Sequence, residues 1–143
     1  MLRAIVASQI RKGYERVSTA RFDELLAGFA GDAVFQMMGE HELGGERRGK
    51  AAIRAWFDET HRLFPDLRIE PIAVVASGPP WNMQAATRFR VSASLAGGGR
   101  YENEGMQFLR LRWAKVVEDR LFEDTQVLRE AIEHQRAAAT SAA

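Results

Sequence analysis

Two carboxylates near the end of the chain, Asp119 and Glu123, have the type and spacing to support chemistry. They follow Trp113-Ala114 in a stretch where apolar and polar residues alternate, which predicts a β-strand. Side chains four residues apart project from the same face of a regular strand. A carboxyl group can act as acid or base near neutral pH if burial or a second carboxylate raises its pKa. The alternatives are that both are hydrogen-bonded to arginine or solvated, or that a one-residue slip turns Glu118 and Arg120 inward.

Several uncharged side chains could help such a pair. Tyr14 lies on the apolar stripe of a predicted helix, and its hydroxyl could meet either a ligand or a structural partner. Gln107 and Asn103, if they share a strand face with Tyr101, would supply amide groups that orient a carbonyl or hydroxyl. The apolar side chains that we expect either to line a ligand cavity or to form the core are Phe35, Met37, Trp56, Phe57, Phe89 and Leu121.

Composition excludes several other chemistries. There is no cysteine, so thiolate metal sites, disulfides and cysteine nucleophiles are absent. His41 and His61 with their neighbouring acids do not match a metal-ligand spacing, and the serines lack a nucleophile-elbow context. The formal net charge of +1 is too balanced for a nucleic-acid or anionic-membrane binder. No apolar run of about 18 residues and no signal-peptide pattern occurs, so we expect a cytoplasmic protein without a membrane or nucleic-acid partner.

The stretch 100–128 organises the elements that would position these residues. It predicts two strands joined by a tight turn and followed by a short helix that Asp124 caps. A hairpin alone is not stable, so the preceding residues must supply more sheet and a helix over its apolar face. Pro71 favours an edge strand or a bulge. The pattern predicts helices at 2–17, 22–29, 50–64 and 126–133, further strands at 33–38, 67–77 and 81–95, and loops at 39–49 and 96–99.

These elements predict one α+β domain. Helices come first and long antiparallel strands later, so the helices should cover one face of the sheet. A curved sheet around a long helix leaves a conical cavity, which is where small ligands usually bind. We assign residues 1–135 to this domain and the Ala-rich residues 136–143 to a flexible tail.

The order of elements and five stretches resemble the nuclear transport factor 2-like (NTF2-like) superfamily. Within it, the SnoaL-like and ketosteroid-isomerase-related branch is the most similar. The stretches are FAGDAVF (29–35), GKAAIRAWFDE (49–59), FPDLRIE (64–70), GRYENEG (99–105) and RLRWAKVVEDRLFEDTQVL (110–128).

The resemblance implies a cone-shaped, curved antiparallel or mixed sheet wrapped around N-terminal helices. It also implies a dimer, and a pocket that needs no metal or organic cofactor. Ketosteroid isomerases use a general-base carboxylate, a neutral carboxylic acid and a tyrosine from the first helix. The resemblance aligns these three groups with Met37, Gln107 and Tyr14 of this sequence. SnoaL cyclases and limonene-epoxide hydrolases use an aspartate on the last strand as acid or base. The resemblance aligns that aspartate with Leu121, two residues from both Asp119 and Glu123.

Two functions remain open at this stage. The first is a cofactor-free isomerase, polyketide cyclase-like or epoxide hydrolase-like enzyme acting on a largely apolar or polycyclic molecule. Asp119 or Glu123 would be its acid or base, and Tyr14 or Gln107 would stabilise an oxyanion. The second is a non-catalytic ligand-binding or dimerisation module, because Met37 and Gln107 stand where isomerases need carboxyl groups. In both, we expect a homodimer through the outer sheet face, where Met106 and Phe108 would otherwise be exposed.

Overall fold

The computed structural model describes residues 1–142, and this part of the chain folds into four helices and one six-stranded sheet. Each element follows from a local pattern. Val6, Ile10 and Tyr14 recur at helical spacing and are buried on one face of the first helix. The elements in chain order are α1 (Leu2–Ser18), α2 (Phe22–Ala27), β1 (Phe29–Met37), β2 (Gly45–Arg48), α3 (Lys50–Leu63), β3 (Arg68–Ser77), β4 (Met83–Ser94), β5 (Arg100–Arg112), β6 (Lys115–Glu123) and α4 (Thr125–Ala142).

The strands form one mixed sheet in the order β2-β1-β6-β5-β4-β3. Neighbours are antiparallel except β1 and β6, which are parallel. The edge strands β2 and β3 do not pair with each other, so the curved sheet stays open. Pro71 lies in an edge strand beside a register shift, as its lack of a backbone donor predicts. The predicted α+β class, with a curved sheet against N-terminal helices, is confirmed.

Burial shows which face of the sheet meets the helices. Alternate residues of β4 from Met83 to Ala93 are buried, and their neighbours are partly or fully exposed. In β6, Asp119 and Leu121 are buried while Arg120 is exposed. Glu118 instead pairs with Arg110 and Arg120 on the outer face. The predicted register with Asp119, Leu121 and Glu123 facing inward is therefore the one adopted.

Three differences from the predicted elements change the account of the fold. Residues 45–48 form the short edge strand β2 inside the predicted loop 39–49, because its GERR sequence has no apolar alternation to reveal it. Helix α2 ends at Ala27, and Phe29 already begins β1. Helix α4 continues to Ala142 rather than ending at 133.

The start of α4 agrees with its predicted cap. Asp124 Oδ1 accepts hydrogen bonds from the backbone amides of Gln126 at 3.1 Å and Val127 at 3.3 Å. The segment predicted as a flexible tail is helical up to residue 142. At its start, Arg136 forms ion pairs with Glu42 and Glu59. Ala143 lies outside the described residues.

No helix within residues 1–142 has both the length and the apolar character needed to span a bilayer.

Candidate functional site

A cavity of about 480 Å³ lies between the concave face of the sheet and helices α1, α2 and α3. Its wall is mostly apolar, and Leu128 of α4 closes it beside the end of β6. The indole of Trp56 donates a hydrogen bond to the Leu43 carbonyl oxygen (2.8 Å), which fixes the loop before β2 against the cavity. Lining residues that the sequence predicted are Tyr14, Phe35, Met37, Trp56, Phe57, Tyr101, Asp119, Leu121 and Glu123.

Asp119 is the most deeply buried carboxyl group on this wall. It is 3% exposed and lies in β6 between Phe35 of β1 and Leu109 of β5. Its Oδ1 accepts a hydrogen bond from Gln107 Nε2 at 3.0 Å. Burial raises the pKa of Asp119 to about 7, and the Gln107 hydrogen bond opposes that rise only in part. The group can therefore both give and take a proton near neutral pH.

Tyr14 is connected to this carboxyl group through Gln107. Its hydroxyl donates to Gln107 Oε1 at 2.8 Å, so the amide accepts from the tyrosine and donates to the aspartate. Helix α1 presents Tyr14 to the sheet because its ring packs near Phe89, at 6.0 Å between ring centroids. Burial and the nearby Asp119 carboxylate raise the pKa of Tyr14, so its phenol stays protonated and remains a donor.

Glu123 belongs to a second cluster of polar side chains and lies two residues after Leu121 in β6. The Tyr101 hydroxyl donates to Glu123 Oε1, and Asn103 Nδ2 lies 3.3 Å from the same oxygen. Asn103 Nδ2 also donates to the Asp124 carbonyl oxygen at 3.0 Å, which ties β5 to the start of α4. Burial raises the pKa of Glu123 to about 7 against the effect of these hydrogen bonds, and it raises the pKa of Tyr101 as well.

Three predicted site residues do not line the cavity: Phe89, Asn103 and Gln107. Phe89 is fully buried over Gly105, where a Cβ would lie 2.6 Å from the phenylalanine ring, so it belongs to the core. Asn103 is directed to Glu123 and α4. Gln107 is enclosed between Tyr14 and Asp119, so its amide supports the aspartate instead of facing the cavity.

Three basic residues that were not predicted as site residues also lie on the cavity wall: Lys12, Arg16 and Lys115. His61 lies on the same wall, with an exposed ring packed edge-on to Phe22. The signal for Lys12 and Arg16 was present: they are four residues apart in the helix that carries Tyr14.

Within residues 1–142 no three histidine, aspartate or glutamate side chains are grouped so as to hold a metal ion. His41 is partly buried and its Nε2 lies 3.0 Å from the Met38 carbonyl oxygen.

The open six-stranded sheet over N-terminal helices, with a cavity between the two layers, defines the NTF2-like class of α+β proteins. Residues 10–119 match the family model of the SnoaL-like domain. The chain therefore belongs to the SnoaL-like domain family.

Solved structures share this fold at low sequence identity, and three illustrate it. TerC, co-crystallised with polyporic acid, is 18% identical with a TM-score of 0.77, over 90% of this chain and 98% of TerC. IdmH from Streptomyces antibioticus, a candidate polyketide cyclase, is 21% identical with a TM-score of 0.72, over 90% of this chain and 97% of IdmH. RV0760c from Mycobacterium tuberculosis, in complex with estradiol-17beta-hemisuccinate, is 22% identical with a TM-score of 0.69, over 83% and 92% of the two chains. No curated protein matches this sequence.

Proposed function

We propose that this protein catalyses a cofactor-independent proton-transfer reaction on a small, largely apolar molecule, with Asp119 as the acid-base group. The observation that carries the proposal is the Asp119 carboxyl group on the wall of an apolar cavity, only 3% exposed, where burial raises its pKa to about 7. Isomerisation and aldol-type cyclisation both require such a group, because a proton must leave a carbon next to a carbonyl and return elsewhere.

The chemistry follows from the surroundings of Asp119. In its ionised form the carboxylate accepts a proton from the substrate, and the resulting carboxylic acid donates that proton at a second position, so no electrons are gained or lost overall. Asp119 is buried in a mostly apolar wall, where each electrostatic interaction is stronger than it is in water. Gln107 acts as a positioning residue, since it holds Asp119 Oδ1 and is itself held by Tyr14.

Glu123 is the second acid-base candidate, and Tyr101 is the phenol closest to it. It accepts hydrogen bonds from both Tyr101 and Asn103, each of which favours the ionised form, whereas Asp119 accepts one, from Gln107. We therefore assign the proton transfer to Asp119 and give Glu123 an orienting role toward a polar group of the ligand.

The ligand class rests on the wall. Aromatic and aliphatic side chains surround the cavity, which suits a ring system with one or two polar substituents. The small molecules crystallised with TerC and RV0760c support a ligand of this general kind.

The test is proton exchange with solvent, which requires no knowledge of the natural substrate. A panel of polycyclic ketones is incubated with the protein in D₂O, and deuterium incorporation is followed by mass spectrometry. We expect at least one ketone to exchange, and Asp119→Asn to slow that exchange by about 100-fold or more.

Glu118→Gln is the matched control, because Glu118 is the next carboxylate in β6 but points to the outer face. It should exchange at the wild-type rate. Equal rates in wild type and Asp119→Asn would remove Asp119 from the mechanism.

The alternative function is a non-catalytic ligand-binding module, favoured by Met37 standing where the ketosteroid-isomerase resemblance places a base. It requires ketones to bind in the cavity of the wild-type protein without any exchange. Binding without exchange across the whole panel would establish this alternative over the proposed enzyme.

We further propose a homodimer through the outer sheet face. Met106 and Phe122 pair across β5 and β6 and are 45% and 42% exposed, with Phe108 beside them. Met106→Glu should convert the dimer to a monomer in size-exclusion chromatography with light scattering. Trp81→Ser, a change at an exposed turn residue, should leave the dimer intact; a monomeric wild type would contradict the proposal.

A further inference from the structure

The charged side chains that line the cavity are separated by sign and by depth. The two carboxyl groups, Asp119 and Glu123, lie on the inner wall of the sheet. Apart from these carboxyl groups and the buried phenols of Tyr14 and Tyr101, the titratable lining residues are basic, and they are exposed or partly exposed where the wall reaches solvent. These residues are Lys12, Arg16, His61 and Lys115.

Lys12 is the basic residue that is most available to a ligand. None of the ion pairs found among residues 1–142 involves it, and its side chain is exposed. Lys115 Nζ donates to the Ala27 carbonyl oxygen at 2.6 Å. Arg16 has a distant partner in Glu24, at 3.6 Å, and its side chain stays 35% exposed.

Helix geometry places Lys12 and Arg16 together. Residues four apart are neighbours on one helix face, so both ammonium and guanidinium groups can reach a ligand at the same opening. Gly13 lies between Lys12 and Arg16 in sequence and also lines the cavity, where it has no side chain to block access to the interior. A Cβ at this position would lie 3.6 Å from Leu25 Cδ1.

This arrangement discriminates between ligands by charge. An anionic group deep in the cavity would lose its hydration and face two carboxyl groups, which is unfavourable. The same group at the opening would remain partly hydrated and lie near two cations. The net charge of +1 conceals this separation, because it sums the whole chain.

We propose that the cavity selects apolar small molecules that carry one anionic group, such as a carboxylate or sulfonate, held at the opening by Lys12 and Arg16. The apolar body then extends inward to Asp119. This inference rests on the proposed function only in that the cavity is the ligand site, and it does not require Asp119 to transfer a proton.

The experiment uses two fluorescent probes that share a skeleton. 1-Anilinonaphthalene-8-sulfonate carries a sulfonate, and N-phenyl-1-naphthylamine lacks it. Both are titrated into wild type, Lys12→Glu and Arg11→Glu at low salt. Arg11 is the matched control, because it is exposed on the same helix, carries the same charge and does not line the cavity.

We expect Lys12→Glu to raise the Kd of the sulfonate probe by about 10-fold, since the charge reversal removes an attraction and adds a repulsion at the opening. In Lys12→Glu the Kd of the neutral probe should change by less than about twofold. In Arg11→Glu the Kd values of both probes should change by less than about twofold. In wild type, added salt should weaken binding of the sulfonate probe and leave the neutral probe unchanged.

Three results would overturn the inference. Equal weakening of both probes in Lys12→Glu would indicate a packing effect, and equal weakening of the sulfonate probe in Arg11→Glu would indicate a general charge effect. Unchanged sulfonate binding in Lys12→Glu would remove this residue from recognition. Failure of both probes to bind wild type would instead reject the cavity as the ligand site, whereas loss of deuterium exchange alone would leave this inference standing.

Discussion

The two carboxyl groups of β6 lie on the same face of the sheet, two alternations apart, but the protein surrounds them differently. Asp119 accepts one hydrogen bond, from an amide that a tyrosine orients. Glu123 accepts from a tyrosine directly and from Asn103, which also holds the start of α4. Burial raises both pKa values to about 7.

The difference lies in what each group does for the fold. Glu123, Tyr101 and Asn103 connect β5, β6 and α4, so removing one of them disturbs the end of the cavity. Among residues 1–142 the Asp119 carboxyl group accepts a side-chain hydrogen bond only from Gln107, and the Oδ1 of an asparagine could accept the same bond. A buried carboxyl group kept under those conditions is typical of a functional site.

The largest expected effect is on stability at high pH. For an acid whose folded pKa is raised, the stabilisation is complete below the unfolded pKa, here 3.8, and is lost as pH rises through the folded value near 7. Asp119→Asn cannot ionise, so its free energy of unfolding should exceed that of wild type at pH 8 by up to about 4 kcal/mol.

Urea unfolding at pH 8 and pH 4 measures this difference, which should disappear at pH 4. Glu118→Gln should behave oppositely and lose stability at pH 8, because Arg120 and Arg110 hold the pKa of Glu118 below its usual range. A variant Asp119→Asn that is less stable than wild type at pH 8 would show that the carboxylate is well solvated or paired.

The second expected effect separates the two tyrosines. Tyr101→Phe removes a donor from a buried carboxylate and should lower the free energy of unfolding at pH 8 by about 2 kcal/mol. Tyr14→Phe removes a hydrogen bond between neutral groups and should cost about 1 kcal/mol. Thermal or urea unfolding tests the order; a larger loss for Tyr14→Phe would reverse the assignment of structural and functional clusters.

The smallest expected effect is on the proton affinity of Asp119. Gln107→Leu removes the hydrogen bond that favours the carboxylate, so the pKa of Asp119 should rise further above 7. The pH profile of deuterium exchange should shift to higher pH in this variant. Asn103→Leu should leave that profile in place, and equal shifts in the two variants would indicate a general change in the cavity.

The sequence predicted the parts of this comparison that depend on local pattern. Alternation in β6 placed Asp119, Leu121 and Glu123 on one face, and Asp124 was correctly predicted to cap α4. The hydrogen bond from Tyr14 to Gln107 could not be predicted, because it joins residues 93 positions apart and depends on how α1 crosses the sheet.

The register of the hairpin depends on a further feature that no local pattern reveals. A shift in pairing lies between Arg110 and Leu111, so the two strands do not keep one continuous register from the turn inward. Trp113 and Ala114 adopt positive φ angles of 51° and 65° in that turn, which the residue types alone do not predict. The spacing of Lys12 and Arg16 was readable from the sequence, but their place on the cavity wall was not, because it depends on how α1 crosses the sheet.

The most direct measurement of the central claim is the titration of the Asp119 side chain itself. Carbon-13 NMR of aspartate-labelled protein, with the signal assigned by its absence in Asp119→Asn, gives the midpoint without any substrate. A midpoint near 7 is the predicted result. A midpoint near 4, the value of a solvated aspartate, would show that the cavity holds an ordinary carboxylate and would contradict the account.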